Sequence, residues 1–322
     1  MRGRGYDGMK YSVIVPLYNK AEFVARTIRS VLSQTIADYE LIVVDDGSLD
    51  GSFQVAVHAV DGFPQARVIR QENRGVAMAR NHGVELSQGE YVCFLDADDW
   101  WEPAFLEEME RLIAAFPDAG MYGTGFYLVK NGKRRVAPIG VENGFGQGYI
   151  NYCQTYAKTL CMPISSSSVA IRREAFLASG GFRSGISLGE DFDLWIRLAL
   201  KHPVALVNRP LSNYFQDLPA GRRATRRLHK PESHMLWNLD YLAEEEACNP
   251  DLKLLLDRLR ANGLYRFYLS KAYHNQSLVQ LAKIDWSHIP ASTYKIYHSP
   301  LWWQRLRFSL RSMGARIKAR IK

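Results

Sequence analysis

The first hundred residues alternate short apolar runs with amphipathic stretches. Tyr11–Pro16 reads as an apolar strand, and Ala21–Gln34 as a helix with Val24, Ile28, Val31 and Leu32 on one stripe. Glu40–Val44 is a continuous apolar run, as expected of a strand covered on both faces. The unit then repeats: helix over Ser52–Val60, strand over Arg67–Arg70, helix over Val76–Ser87, strand over Tyr91–Leu95. Such alternation predicts an α/β fold, a doubly wound, mostly parallel sheet with helices on both faces and a crevice at the carboxyl ends of its strands. Further on, Pro103–Phe116 reads as a helix with Pro in its first turn, and Ala119–Val129 as a strand turning at Lys130–Lys133. Ser165–Ile171 resembles a strand, and Glu190–Lys201 a helix with Leu194, Trp195 and Leu198 turned inward. Residues 134–160 carry no clear period, and 231–285 read as helical. The expected organisation is a leader without fixed structure at 1–10, an α/β domain at 11–220, an Arg-rich loop at 221–230 and a helical C-terminal extension at 231–322.

Polar residues collect at the strand ends. Asp45 and Asp46 close the second strand before Gly47-Ser48, Asn73-Arg74-Gly75 follows the third, and Asp96, Asp98 and Asp99 follow the fourth. Charge at the tip of a buried strand costs solvation energy and wants a partner. Two carboxylates one residue apart suit a hard divalent cation, whose shell a phosphate often completes. The plain alternative is a solvated acidic turn capping the next helix.

With 47% hydrophobic and 12% aromatic residues the chain is globular. No apolar run approaches the ~20 residues that cross a bilayer. Met1–Lys10 lacks the apolar core of a secretory signal. Cys93, Cys153, Cys161 and Cys248 form no metal-ligand spacing, which points to a reducing, cytoplasmic setting. The net charge of +8 is uneven: Ala291–Lys322 holds eight Lys or Arg and no acid, and removing those eight from the 41 leaves 33 basic against 33 acidic residues. A balanced body argues against nucleic acid as a partner, because nucleic-acid enzymes spread positive charge along a groove. No G-x-G-x-x-G follows the first strand, which disfavours a dinucleotide-binding dehydrogenase.

Five motifs occur in register: Val13-Ile14-Val15-Pro16-Leu17-Tyr18-Asn19, Val44-Asp45-Asp46-Gly47-Ser48, Asn73-Arg74-Gly75 running on to Ala79-Arg80-Asn81, Asp96-Ala97-Asp98-Asp99, and Gly189-Glu190-Asp191. Over roughly residues 10–215 this order closely resembles the family-2 inverting glycosyltransferases of the GT-A fold, of the bacterial surface-polysaccharide type. The resemblance implies that Asp46 accepts the uracil N3–H of a UDP-sugar, with Pro16 and Tyr18 lining the base pocket. It makes Asn73, Gly75 and Arg80 a nucleotide-side loop, Arg80 meeting phosphate or pairing with an acid. Asp98 would ligate Mg²⁺ or Mn²⁺, Asp96 would contact ribose or a metal-bound water, and Asp99 would touch the sugar. Asp191 becomes the general base, favoured as an anion at a helix start, and Glu190 supports it. Arg222, Arg223, Arg226, Arg227 or His229 would clamp the diphosphate.

The expected activity is metal-dependent inverting transfer from a nucleotide-sugar to a hydroxyl of a growing, possibly lipid-linked, surface glycan. A sugar-nucleotide nucleotidyltransferase and a non-catalytic nucleic-acid-binding protein are the rival readings. The first lacks a Gly-rich nucleotide loop at the opening strand.

The tail adds a second surface. Leu306, Leu310, Met313, Ile317 and Ile321 recur at three- and four-residue steps behind Trp302 and Trp303, with Arg305, Arg307 and Arg311 among seven basic residues between them. This is the composition of a helix lying in an anionic membrane interface, each basic residue contributing ~1 kcal/mol. The other reading is a helix docked on the α/β domain with a solvated basic face. The expected location is the inner face of the cytoplasmic membrane.

Overall fold

The computed structural model describes residues 9–217 and 229–320, with side chains as far as Leu310. The chain divides into two compact units, one running to Arg227 and including Ser233–Met235, the other comprising Leu228–Glu232 and Leu236–Lys322.

In the first unit the elements follow the order β1 (Tyr11–Leu17), α1 (Val24–Leu32), β2 (Tyr39–Asp45), α2 (Ser52–Val60), β3 (Ala66–Arg70), α3 (Val76–Glu85), β4 (Tyr91–Phe94), β5 (Trp100–Trp101), α4 (Phe105–Ala115), β6 (Met121–Lys130), β7 (Lys133–Val136), β8 (Gln147–Ile150), α5 (Tyr152–Thr159), β9 (Val169–Arg172), α6 (Arg173–Ala178), α7 (Glu190–Ala199) and β10 (Val204–Phe215). The sheet runs β3-β2-β1-β4-β9-β6-β10-β5, with β7 on β6 and β8 on β10. Strands β3, β2, β1 and β4 are mutually parallel, as the alternating pattern predicts.

Beyond β4 the direction changes. β9 is antiparallel to both β4 and β6, while β10 runs parallel to β6. β9 therefore presents its first residues, not its last, at the rim where the parallel strands end. Ser165–Ser168 is correspondingly not strand: a short 3₁₀ turn, Ser166–Ser168, is closed by reciprocal Ser165 and Ser168 hydrogen bonds before the strand begins at Val169.

Both faces are covered. Val13, Val15, Leu17, Leu41, Val43 and Cys93 pack with Val24, Ile28, Val31, Phe105, Met109 and Leu112 on one side. On the other, Ile42 and Val44 meet Ala79 of α3. Gly83 lets α3 lie close to β1, since a Cβ there would come 2.4 Å from Ile14 Cγ2. Phe94 packs edge-on to Phe182 at 5.2 Å, and Trp195 adds a third ring.

The second unit is helical, with α8 (Ala243–Cys248), α9 (Pro250–Gly263), α10 (Tyr265–Leu269), α11 (His274–Leu281), α12 (Ala291–Tyr297) and α13 (Leu301–Arg320). Asp257 is fully buried there and is neutralised by Lys253, with His288 Nδ1 at 2.8 Å. Asn249 caps α9 by accepting from the Asp251 and Leu252 amides.

Candidate active site

The rim is assembled from four strand ends and one strand start. After β1 the chain turns through Asn19, which takes a left-handed conformation at φ 51°, tolerable because a short amide side chain bonds locally. Its Oδ1 accepts from Leu49 N, and its own N–H donates to Ser48 Oγ at 3.0 Å. Tyr18 stands 45% exposed beside this turn, while Pro16 is buried in β1.

Asp46 is 3% exposed and organises the loop after β3. Its carboxylate accepts from Gln71 Nε2, Arg74 N and Gly75 N, each at 2.8 Å. A carboxylate offers about four acceptor positions, so one stays open to a ligand donor. Asn73 turns its amide to the Asp46 carbonyl at 3.0 Å. Gly75 opens α3 at φ 88°, a conformation that suits glycine.

Arg80, on the next turn of α3, is only 2% exposed. Its Nη2 reaches Asp96 Oδ1 at 2.7 Å and its Nη1 reaches Glu190 Oε1 at 3.0 Å. The pairing with acids thus spans two motifs distant in sequence. Burial alone would lower the guanidinium's pKa, but Asp96, Glu190 and Asp191 together raise it above its ordinary value.

Asp98 Oδ2 meets the Lys20 ammonium at 2.6 Å, a contact the motif reading did not anticipate. Burial raises the Asp98 pKa, Lys20 opposes that shift, and Asp96 adds to it. Arg26 Nη2 holds the Asp98 carbonyl at 2.6 Å while its guanidinium lies 3.8 Å from the Trp100 ring centre. Asp99 differs from expectation. It is 1% exposed and turned inward, accepting from Ser167 Oγ at 2.6 Å and Phe215 N at 2.8 Å, so it cannot touch a sugar. Burial and the neighbouring Asp98 and Asp96 push its pKa well above the ordinary value.

Asp191 and Glu190 open α7, released from the preceding chain by Gly189 at φ 85°. Asp191 Oδ2 accepts from Ser166 Oγ at 3.0 Å. Ser167, the next residue, accepts from Asp96 N at 3.1 Å. One serine turn therefore touches the base candidate, the Asp96 backbone and the Asp99 carboxylate. Ser166 and Ser167 escape the motif reading. Their only sequence signal is the four-serine run at 165–168. Tyr152 and Tyr156 of α5 also lie near Asp191, and burial raises both their pKa values.

The donor set tests the fit to a divalent cation. Asp96 and Asp98 supply hard oxygens, and an ammonium already occupies one of them. Among the described residues no group of three or more His, Cys, Asp or Glu forms a self-sufficient metal cage. A cation held here would need ligand oxygens to complete its shell, which agrees with the chemistry of a nucleotide diphosphate.

Two expectations fall elsewhere. Arg222, Arg223, Arg226 and Arg227 lie outside the described residues, and His229 belongs to the second unit. In α13, Trp302, Trp303, Leu306 and Leu310 are exposed, as is Arg307. Arg305 instead turns back to the Leu269 carbonyl at 3.1 Å. The Arg311 side chain lies outside the described residues. A groove of about 800 Å³ between α1 and α2, lined by Arg29, Val55, His58 and Phe63, contains none of the site residues.

The chain is similar to several known proteins. Cholesterol galactosyltransferase of Borreliella burgdorferi is 26% identical over 302 residues, 91% of this chain and 81% of that protein. Uncharacterized glycosyltransferase YibD of Escherichia coli is 39% identical over 100 residues, 31% of this chain and only 29% of YibD. Among solved structures, S. aureus TarS 1-349 in complex with UDP-GlcNAc shares the fold at a TM-score of 0.71 and 20% identity, covering 88% of this chain and 83% of that one. Residues 12–177, more than half of the chain and the whole span from β1 through α3 to β9, match the family model Glycosyl transferase family 2. With the acidic strand ends and the α7 carboxylates on one rim, the chain belongs to that family.

Proposed function

We propose that this chain is a metal-dependent inverting glycosyltransferase, moving a hexose or N-acetylhexosamine from a UDP-sugar to a hydroxyl of a growing, lipid-linked surface glycan. The observation that carries the reading is the Arg80 bridge, which joins Asp96 to Glu190 beside the candidate base.

Asp46, with one acceptor position open, would take the N3–H of uracil, and the exposed Tyr18 would face the base. Asp98 and Asp96 would hold Mg²⁺ or Mn²⁺, which when bound neutralises charge on the departing diphosphate. Asp191 would accept the proton of the acceptor hydroxyl as that oxygen bonds to the anomeric carbon. Attack opposite the leaving group inverts the anomeric configuration. Ser166 fixes one oxygen of the Asp191 carboxylate and the Phe192 amide the other, and about two of its four acceptor positions are left for the acceptor hydroxyl.

Relatives support the substrate classes. TarS was solved with UDP-GlcNAc, and a mannosyltransferase from Pyrobaculum calidifontis, at a TM-score of 0.50, with GDP-Man and Mn²⁺. Cholesterol galactosyltransferase, matched over 81% of its length, is named for a sterol acceptor. Among the described residues no helix is long and apolar enough to cross a membrane. The exposed Trp302, Trp303, Leu306 and Leu310, with basic residues and no acid in the segment, support attachment to an anionic membrane surface instead.

A panel of nucleotide-sugars scored for nucleotide release, with and without Mn²⁺, tests the assignment. UDP release that requires a divalent cation is expected. Release of pyrophosphate from a nucleoside triphosphate would replace it with nucleotidyl transfer.

A further inference from the structure

Lys20 stands in an unusual position for a lysine at a rim that is expected to bind a cation. Its Nζ lies 2.6 Å from Asp98 Oδ2, with side-chain exposures of 18% and 13%. Neither partner is free to drift. The Lys20 backbone N–H donates to Ser52 Oγ at 2.8 Å, and Arg26 pins the Asp98 carbonyl at 2.6 Å. Asp98 stands within one or two residues of Asp96 and Asp99, so its carboxylate lies among like charges and the ammonium at 2.6 Å offsets them. Lys20 therefore supplies the positive charge that faces the Asp98 carboxylate. A divalent cation on the same oxygen would be repelled by that ammonium, and the two cannot share it at bonding distance.

We infer that Lys20 is a placeholder cation: it holds Asp98 until a diphosphate draws the ammonium away, so that the divalent cation and the nucleotide bind as a pair. The inference rests on the reading of Asp98 as a cation ligand. Linkage then works in both directions, since the nucleotide tightens the cation and the cation tightens the nucleotide by the same factor. The cation alone gains little, because it must displace the Lys20–Asp98 ion pair. A diphosphate removes that cost.

The test measures Mn²⁺ binding to the full chain by the electron paramagnetic resonance signal of the free ion, with and without saturating UDP. In the unaltered protein UDP should tighten Mn²⁺ by about tenfold or more, equivalent to about 1.4 kcal/mol. Lys20→Met keeps the length of the side chain without its charge. It should bind Mn²⁺ alone about tenfold tighter than the unaltered protein, with the UDP effect reduced to about threefold or less. Lys20→Arg keeps the charge and should behave as the unaltered protein with Mn²⁺ alone, which separates charge from any general loosening of the turn. Lys20→Met binding Mn²⁺ alone no tighter than the unaltered protein, while Asp98→Asn abolishes Mn²⁺ binding in the presence of UDP, overturns the placeholder role and leaves the cation site standing. If Asp98→Asn leaves Mn²⁺ binding with UDP unchanged, the cation reading falls and the inference with it.

Discussion

Arg80 and Glu190, 110 positions apart in sequence, form an ion pair with Nη1 and Oε1 3.0 Å apart. The same guanidinium holds Asp96, so a single buried cation ties the donor side of the site to the helix that carries Asp191. Removing one member of such a buried set strands the others without compensation. Arg80→Met should therefore lower stability by about 3–5 kcal/mol. It should also lower kcat more than it raises KM for the donor, while Arg80→Lys restores part of both. Thermal unfolding and steady-state kinetics on the three proteins provide the check. A variant that loses stability but keeps kcat would make Arg80 a purely structural residue.

Asp191→Asn keeps an acceptor oxygen for one of the Ser166 and Phe192 donors but cannot take a proton at neutral pH. A positioned general base contributes roughly 10²–10⁴-fold. Transfer should fall by about that factor while UDP affinity, measured by calorimetry, stays unchanged. Undiminished turnover would remove Asp191 as the base.

Glu190 carries a pKa raised above its ordinary value of 4.5, because burial and the neighbouring Asp191 outweigh Arg80. The folded state then binds a proton more readily than the unfolded chain between 4.5 and the raised value. Across that window this side chain's contribution to stability falls as pH rises. Glu190→Gln removes the dependence, so the stability of the variant minus that of the unaltered protein should climb with pH through the window. Denaturant titrations at a series of pH values measure the difference, and a flat or falling line refutes the assignment.

Gly83 faces Ile14 so closely that an added Cβ would stand 2.4 Å from Cγ2. Overpacking of this kind costs about 1–3 kcal/mol. Gly83→Ala should be destabilised by that amount, and because α3 also carries Arg80, its kcat should fall with it. Urea unfolding with parallel activity assays would show whether the two losses travel together.

The exposed apolar residues of α13 give a membrane prediction. Binding of the full chain to vesicles containing anionic lipid should exceed binding to zwitterionic vesicles and weaken as salt rises. Replacing Trp302 and Leu306 with Ser should reduce binding by about a hundredfold or more in a flotation assay, given about 1.5–3 kcal/mol for each large apolar side chain buried. Equal binding by the doubly substituted protein would end the membrane reading.

Much of the parallel half is legible in the sequence because its elements are periodic. The expected helix over Ser52–Val60 has the observed bounds, and the strands at Tyr11 and Tyr91 differ only at their far ends. The part beyond β4, where strand directions are mixed, is not legible in the same way. β8 is a four-residue strand with alternating exposure and a glycine, and the β10 pairing shifts register twice around Pro210. Neither gives a window long enough for periodicity to register. The contacts made by Lys20, Ser166 and Ser167 follow from the direction of β9 and from side chains crossing between turns, and no local pattern encodes those. Asp99 shows the opposite error. Its place in an acidic motif suggested a role that its burial excludes.

The reversal of β9 divides the sheet into a parallel part and a part of mixed direction. Across that seam the strand ladder consists of three pairings, Tyr91 with Arg172, Val92 with Ile171 and Cys93 with Ala170. A hybrid enzyme could therefore take its first four strands from this chain and the remainder from a relative, provided the arginine clasp across the join is kept. Under the proposed function, such a hybrid would keep the nucleotide preference of its amino-terminal half and take its acceptor preference from the other.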